Sequence, residues 1–193
     1  MTTRQISVQR FSITSSKSFP EVVSRLETAI GRPDLSAFRK DISAARSYPE
    51  LENVVGKATG PSGFMEFARF DLGEILRKQT GAAAPKILRL VIGNPLIMKK
   101  MVERVPDAGS YAPVTILLDE RPDGVHLSYD TMASFLDSYG SPEAIKVAQD
   151  LDVDVPMRLD FRTITRVIAG SILIPGAQYE DRERRTNRFH LSK

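Results

Sequence analysis

Three side chains are best placed for chemistry in this sequence, and each stands where one regular element gives way to another. Asn94 occupies Gly93-Asn94-Pro95, after an apolar run and before a helix-compatible segment. Glycine there permits close backbone approach, asparagine can cap a helix, and proline at the first helical position is preorganised. The same step puts Asn94 at a helix N-terminus, where an anionic or carbonyl group could bind. It is not a phosphate loop, which requires Gly-x-x-x-x-Gly-Lys. Asp71 ends an aromatic segment and has general-base chemistry available if desolvated, or a structural use as the cap of a following helix. Tyr129 ends a strand-like segment, with a hydroxyl suited to a ligand or to the rim of a core.

Other combinations carry less. His126 alternates with Val125, Leu127 and Tyr129 and shares a strand face with Ser128, but no Gly-x-Ser-x-Gly elbow accompanies them. Two histidines and no cysteine do not specify a metal centre, a thiolate nucleophile or an iron–sulfur cluster, so no cofactor is expected. Phe64, Phe67 and Phe70 serve a core by default, and Phe67 is also a candidate wall for an apolar ligand pocket.

The chain that must position these groups has 193 residues, 41% of them hydrophobic. A single domain of this size buries roughly 70% of its unfolded surface without disulfides. Its longest strongly apolar run, Ile87 to Ile92, is far short of the ~20 residues of a membrane span. The N-terminus lacks the apolar stretch of a signal peptide, so a soluble cytoplasmic protein is expected, with no membrane partner. Net charge is +3, of which the mixed segment Gln178 to Lys193 supplies +2 through five basic and three acidic residues. That is not the basic body of a dedicated nucleic-acid binder.

Periodicity places the elements. Gln5 to Ile13 predicts a strand, with a phase change suggesting a bulge near Gln9–Arg10. Ser18, Pro20 and Glu21 start a helix whose stripe is Phe19, Val22, Val23, Leu26 and Ile30, with Gly31 as its stop. Residues 32–63 read as a helical insertion packing on a sheet edge or covering a cavity, closed by Gly60-Pro61-Ser62-Gly63. Phe64 to Asp71 alternates except at Glu66, and a short helix spans Leu72 to Lys78. Lys86 to Ile92 has the composition of a strand buried on both faces. A helix runs from Pro95 to about Val105. Val114–Asp119 and Val125–Tyr129 form a hairpin across Arg121-Pro122-Asp123-Gly124. Helices fill about 131–170, one of them after Pro156. Residues 1–176 are expected to make one α+β domain, and 177–193 a polar, flexible tail dispensable for folding.

Several segments resemble the domain of unknown function 302 family. They are Phe67-Ala68-Arg69-Phe70-Asp71, Leu88-Arg89-Leu90-Val91-Ile92-Gly93-Asn94-Pro95, Ala112-Pro113-Val114-Thr115-Ile116-Leu117-Leu118 and Gly124-Val125-His126-Leu127-Ser128-Tyr129-Asp130. The resemblance covers about residues 18–136, and Gly-Asn-Pro is its most specific piece. It implies a curved antiparallel sheet with helices on one face, a TATA-binding-protein-like arrangement, and it brings no established activity. The family often has histidine after the aspartate matched to Asp71; here Leu72 follows, so an Asp-His pair is not implied.

Three functions are therefore expected to compete. The first is binding of a small apolar or carbonyl compound between sheet and helices, fixed by Asp71, Asn94, Tyr129 and Phe67. The second is a small metal-independent acid–base enzyme using Asp71 or Tyr129. The third is a homodimeric interaction protein without a ligand.

Overall fold

The computed structural model describes residues 1–81 and 84–164. Five antiparallel strands form one open sheet in the order β1-β5-β4-β3-β2. They are β1 (Arg10–Ser15), β2 (Met65–Asp71), β3 (Ile87–Gly93), β4 (Val114–Arg121) and β5 (Gly124–Asp130). The helices are α1 (Phe19–Ala29), α2 (Leu35–Ala44), α3 (Tyr48–Ala58), α4 (Leu72–Thr80), α5 (Pro95–Val102), α6 (Met132–Leu136), α7 (Pro142–Arg158) and α8 (Phe161–Ile164). The class is α+β, with α1, α5, α6, α7 and α8 packed on one face.

Alternation decides that face. Leu88, Leu90 and Ile92 of β3 oppose Leu118, Ile116 and Val114 of β4, and Ile116 and Leu118 oppose Tyr129 and Leu127 of β5. All are buried in one core with Phe19, Val22 and Leu26 of α1, Met101 of α5, and Ala148, Leu151 and Val155 of α7. The intervening Ile87, Arg89 and Val91 lie on the other face, where Arg89 is exposed. β3 is therefore not buried on both faces as its composition suggests. Ile87 and Val91 add apolar residues to the open side, which hides the alternation from a reading of residue types alone.

Local chemistry sets most boundaries. Ser18 caps α1 by accepting the Glu21 N–H at 3.4 Å. β1 begins at Arg10, later than Gln5, because its partner β5 ends at Asp130; beyond it, Gln9 bonds to Thr131 and Ser134 instead. The irregularity at Glu66 is a β-bulge at Phe67, with Glu66 opposite Ile92 and Ala68 opposite Val91. The bulge shifts parity, so Phe70 emerges on the open face. Pro156 sits inside α7, two residues before its end, where only one backbone hydrogen bond is lost, and α8 follows after a break at Asp160. The expected helix to Gly170 and the tail 177–193 extend beyond the described residues.

The insertion is a helical pair on the β2 edge. Phe38, Val55, Ala58 and Met65 form its small core, flanked by Phe67 and Leu96. Its ends cross at Gly31 and Gly60, whose N–H groups share the Phe64 carbonyl at 2.9 Å. A Cβ on either glycine would lie within 2.5 Å of the opposing backbone, so the crossing requires both.

Candidate functional site

The end of β3 opens into a cavity of about 160 Å³. Its walls come from the β2 bulge (Phe67), the β3–α5 step (Gly93, Asn94, Pro95), α5 (Ile97, Met98, Met101), the start of β4 (Ala112, Pro113, Val114) and α7 (Leu151). The lining is almost wholly carbon. The Ala112–Pro113 bond is cis, and the Pro113 ring lies against Gly93. A Cβ at Gly93 would approach the Pro113 Cβ to 3.2 Å and the Phe67 Cε2 to 3.7 Å, so glycine keeps this wall open.

Asn94 acts at this mouth in two directions. Its Oδ1 accepts the Leu96 N–H at 2.8 Å and caps α5, while its Nδ2 donates to the Gly63 carbonyl at 2.9 Å. The side chain therefore ties the start of α5 to the loop that closes the insertion. One of its two amide hydrogens is used in that tie.

The structure brings Phe67 and Asn94 together and places Asp71 and Tyr129 elsewhere. Asp71 is at the opposite end of β3, where it opposes Leu88. It caps α4 by accepting the Glu74 N–H at 2.9 Å and pairs with Arg77 at 2.7 Å. The Arg77 bond, aided by the Glu74 N–H, holds the exposed carboxyl below the usual aspartate range. Around it lies a wider groove of about 480 Å³ lined by Phe19, Val23, Arg69, Lys86 and Leu88 among others. Its cations are already paired: Arg69 with Glu27 at 2.7 Å, Lys86 with Glu120 at 3.2 Å.

Tyr129 is buried, and its hydroxyl donates to Asp152. Asp152 also accepts the Met132 and Ala133 N–H groups at 2.7 and 2.9 Å. It thus caps α6 from α7, in place of Thr131, which makes no capping bond. Burial, then the neighbouring Asp152, pushes the Tyr129 hydroxyl well above its ordinary range, and burial raises the Asp152 carboxyl. Sequence reasoning missed Asp152. The available signal was a carboxylate beside Leu151 in the inward stripe Ala148, Leu151, Val155.

His126 contacts Thr14 Oγ1 at 3.4 Å and Asp123 at 2.8 Å, so its ring nitrogens face groups other than Ser128. Among the described residues no cluster of three or more metal-ligating side chains converges, and no helix is long and apolar enough to cross a membrane.

The family described as "Domain of unknown function DUF302" matches residues 40–155, more than half of the chain. The match starts inside α2 and ends inside α7, later at both ends than the resemblance over 18–136. A crystal structure of an uncharacterized conserved protein DUF302 from Bacillus stearothermophilus is similar, with a TM-score of 0.55 at 13% identity. The alignment covers 78% of this chain and 95% of that one, a likeness of fold alone. No curated protein matches the chain.

Proposed function

The chain belongs to the DUF302 family, and we propose that it binds a small apolar molecule in the cavity at the start of α5. The observation that carries this reading is the cavity itself, about 160 Å³ walled by Phe67, Gly93, Met98, Met101, Pro113 and Leu151. A carbon-lined space near 150 Å³ accepts a benzene-sized guest, and water standing in it lacks polar partners. Methionine suits such a wall, being flexible and polarisable enough to fit more than one outline. The lining, almost wholly carbon, favours a hydrocarbon-like guest over one that needs a polar partner. The acid–base alternative has less support: Asp71 is ion-paired at the surface, and the Tyr129 hydroxyl is committed to Asp152.

Benzene is the direct probe, read through carbon-13-labelled methionine methyl groups. The Met98 and Met101 signals should shift saturably on titration, while Met157, 59% exposed and outside the cavity lining, should not. Absence of a saturable shift at Met98 and Met101 would overturn the reading. Native mass spectrometry of protein from its own cells would then identify the physiological guest.

A further inference from the structure

α4 is an amphipathic helix mounted with its apolar stripe outwards. Its inward face consists of Gly73 and Arg77. A Cβ on Gly73 would come within 2.8 Å of the Pro85 carbonyl and 2.9 Å of the Ile87 nitrogen, so the helix is seated through a bare backbone. Asp71 holds that seat from both sides, capping the helix and pairing with Arg77. Ile75, 70% exposed, points away, flanked by the exposed Leu72 and Leu76. Phe70, at the end of β2 just before the helix, is also exposed. Apolar positions at i, i+3 and i+4 ordinarily face a partner, and none of the described elements covers these.

We propose that this surface pairs with the same surface of a second copy of the chain, two α4 helices packing antiparallel about a two-fold axis near Leu76. The charges on the helix select this occupant. Glu74 and Lys78 lie on one flank of Ile75, and neither has an ion-pair partner among the described residues. An antiparallel two-fold at position 76 sets Glu74 of one copy opposite Lys78 of the other, twice, while on the other flank Leu76 meets its own copy and Leu72 stands opposite Thr80. An isologous contact requires such self-complementarity. The helix is only about 13 Å long at 1.5 Å per residue. The contact is therefore at the small end of specific interfaces, and the dimer should form in the micromolar range.

Sedimentation equilibrium of the full chain across that range tests this. The wild type should pass from monomer to dimer, and Ile75→Asp should remain monomeric with unchanged melting, because the side chain is exposed. Glu74→Lys and Lys78→Glu should each weaken self-association about tenfold, since each sets like charges together twice. An equimolar mixture of these two variants should recover association as a heterodimer. A monomer at every concentration, a dimer indifferent to Ile75→Asp, or a mixture no tighter than the single variants would each overturn the proposal. So would adsorption of the monomer to phosphatidylglycerol vesicles through Ile75, which would assign the stripe to a lipid surface.

Discussion

The two ends of β3 each adjoin a helix capped by a polar side chain and have opposite properties. At the Gly93 end, a glycine, a proline and the methionines of α5 wall a carbon-lined pocket whose Asn94 bonds to Gly63 and Leu96; two strands over, on β5, the buried Tyr129 bonds to Asp152. At the Asp71 end the groove is wide and its charges neutralise one another at the surface. A capping side chain starts a helix at each end, Asn94 for α5 and Asp71 for α4. Burial makes the difference. A hydrogen bond lost in the interior leaves a partner unsatisfied, whereas water replaces one lost at the surface. Substitutions at the enclosed end should therefore cost more.

Asp152→Ala should give the largest effect. It leaves the Tyr129 hydroxyl and the Met132 and Ala133 N–H groups without their shared acceptor. Depriving three donors of one largely buried acceptor costs on the order of 3 kcal/mol. Chemical denaturation should show the midpoint falling accordingly with an unchanged slope. A loss under about 1 kcal/mol would mean water enters easily, and the enclosed end would then be no different from the open one.

Gly93→Val should come next. The added atoms meet the Pro113 ring, whose Cβ is 3.2 Å from the first of them, and extend towards Phe67. Overpacking of this sort costs about 1–3 kcal/mol. Because valine also fills the cavity mouth, the methyl shifts of Met98 and Met101 with benzene should shrink in this variant. An unchanged denaturation midpoint together with wild-type benzene shifts would show that the wall at Gly93 is neither tight nor part of the pocket.

What the sequence disclosed of these two ends follows from the range of the interactions. The caps at Ser18, Asp71 and Asn94 were legible because each bonds within three residues of itself. The hairpin at Pro122-Asp123-Gly124 was legible for the same reason. Glu66 was visible as a flaw in the alternation of β2, but its outcome was not: a bulge reassigns every later side chain to the other face, and only pairing with β3 reveals which one. Phe70 thus looked like core and is exposed. Ile87 and Val91 misled in the same direction, since residue type cannot separate a doubly buried strand from one whose open face is also apolar. Asp152 reaches Tyr129 across 23 residues, and no local rule joins them. Of the four residues expected to fix a ligand, Phe67 and Asn94 converge because the β2–β3 register brings the bulge beside the Gly93 step. Asp71, on the same strand pair, is carried by that register to the far end.

Asp71→Ala should give the smallest effect, and its response to acid should separate it from Asp152. The carboxylate caps α4 and pairs with Arg77, but both groups are substantially exposed. An exposed ion pair contributes little, so the cost is nearly all that of the cap, about 1 kcal/mol. Its folded-state carboxyl is held below the ordinary range, so its contribution is present above the unfolded pKa and lost as pH falls through the folded one. The gap between wild type and Asp71→Ala should therefore close on acidification. Asp152 runs the other way: its folded carboxyl is raised, so its ionisation costs stability as pH rises past the unfolded pKa towards the folded one. Wild type should accordingly lose ground to Asp152→Asn over that interval, while holding its ground against Asp71→Ala. Paired denaturation curves at pH 3.5 and 7, roughly either side of the ordinary carboxylate pKa, measure both gaps. If both moved in the same direction, the contrast between an interior and a surface site would not extend to these two carboxylates.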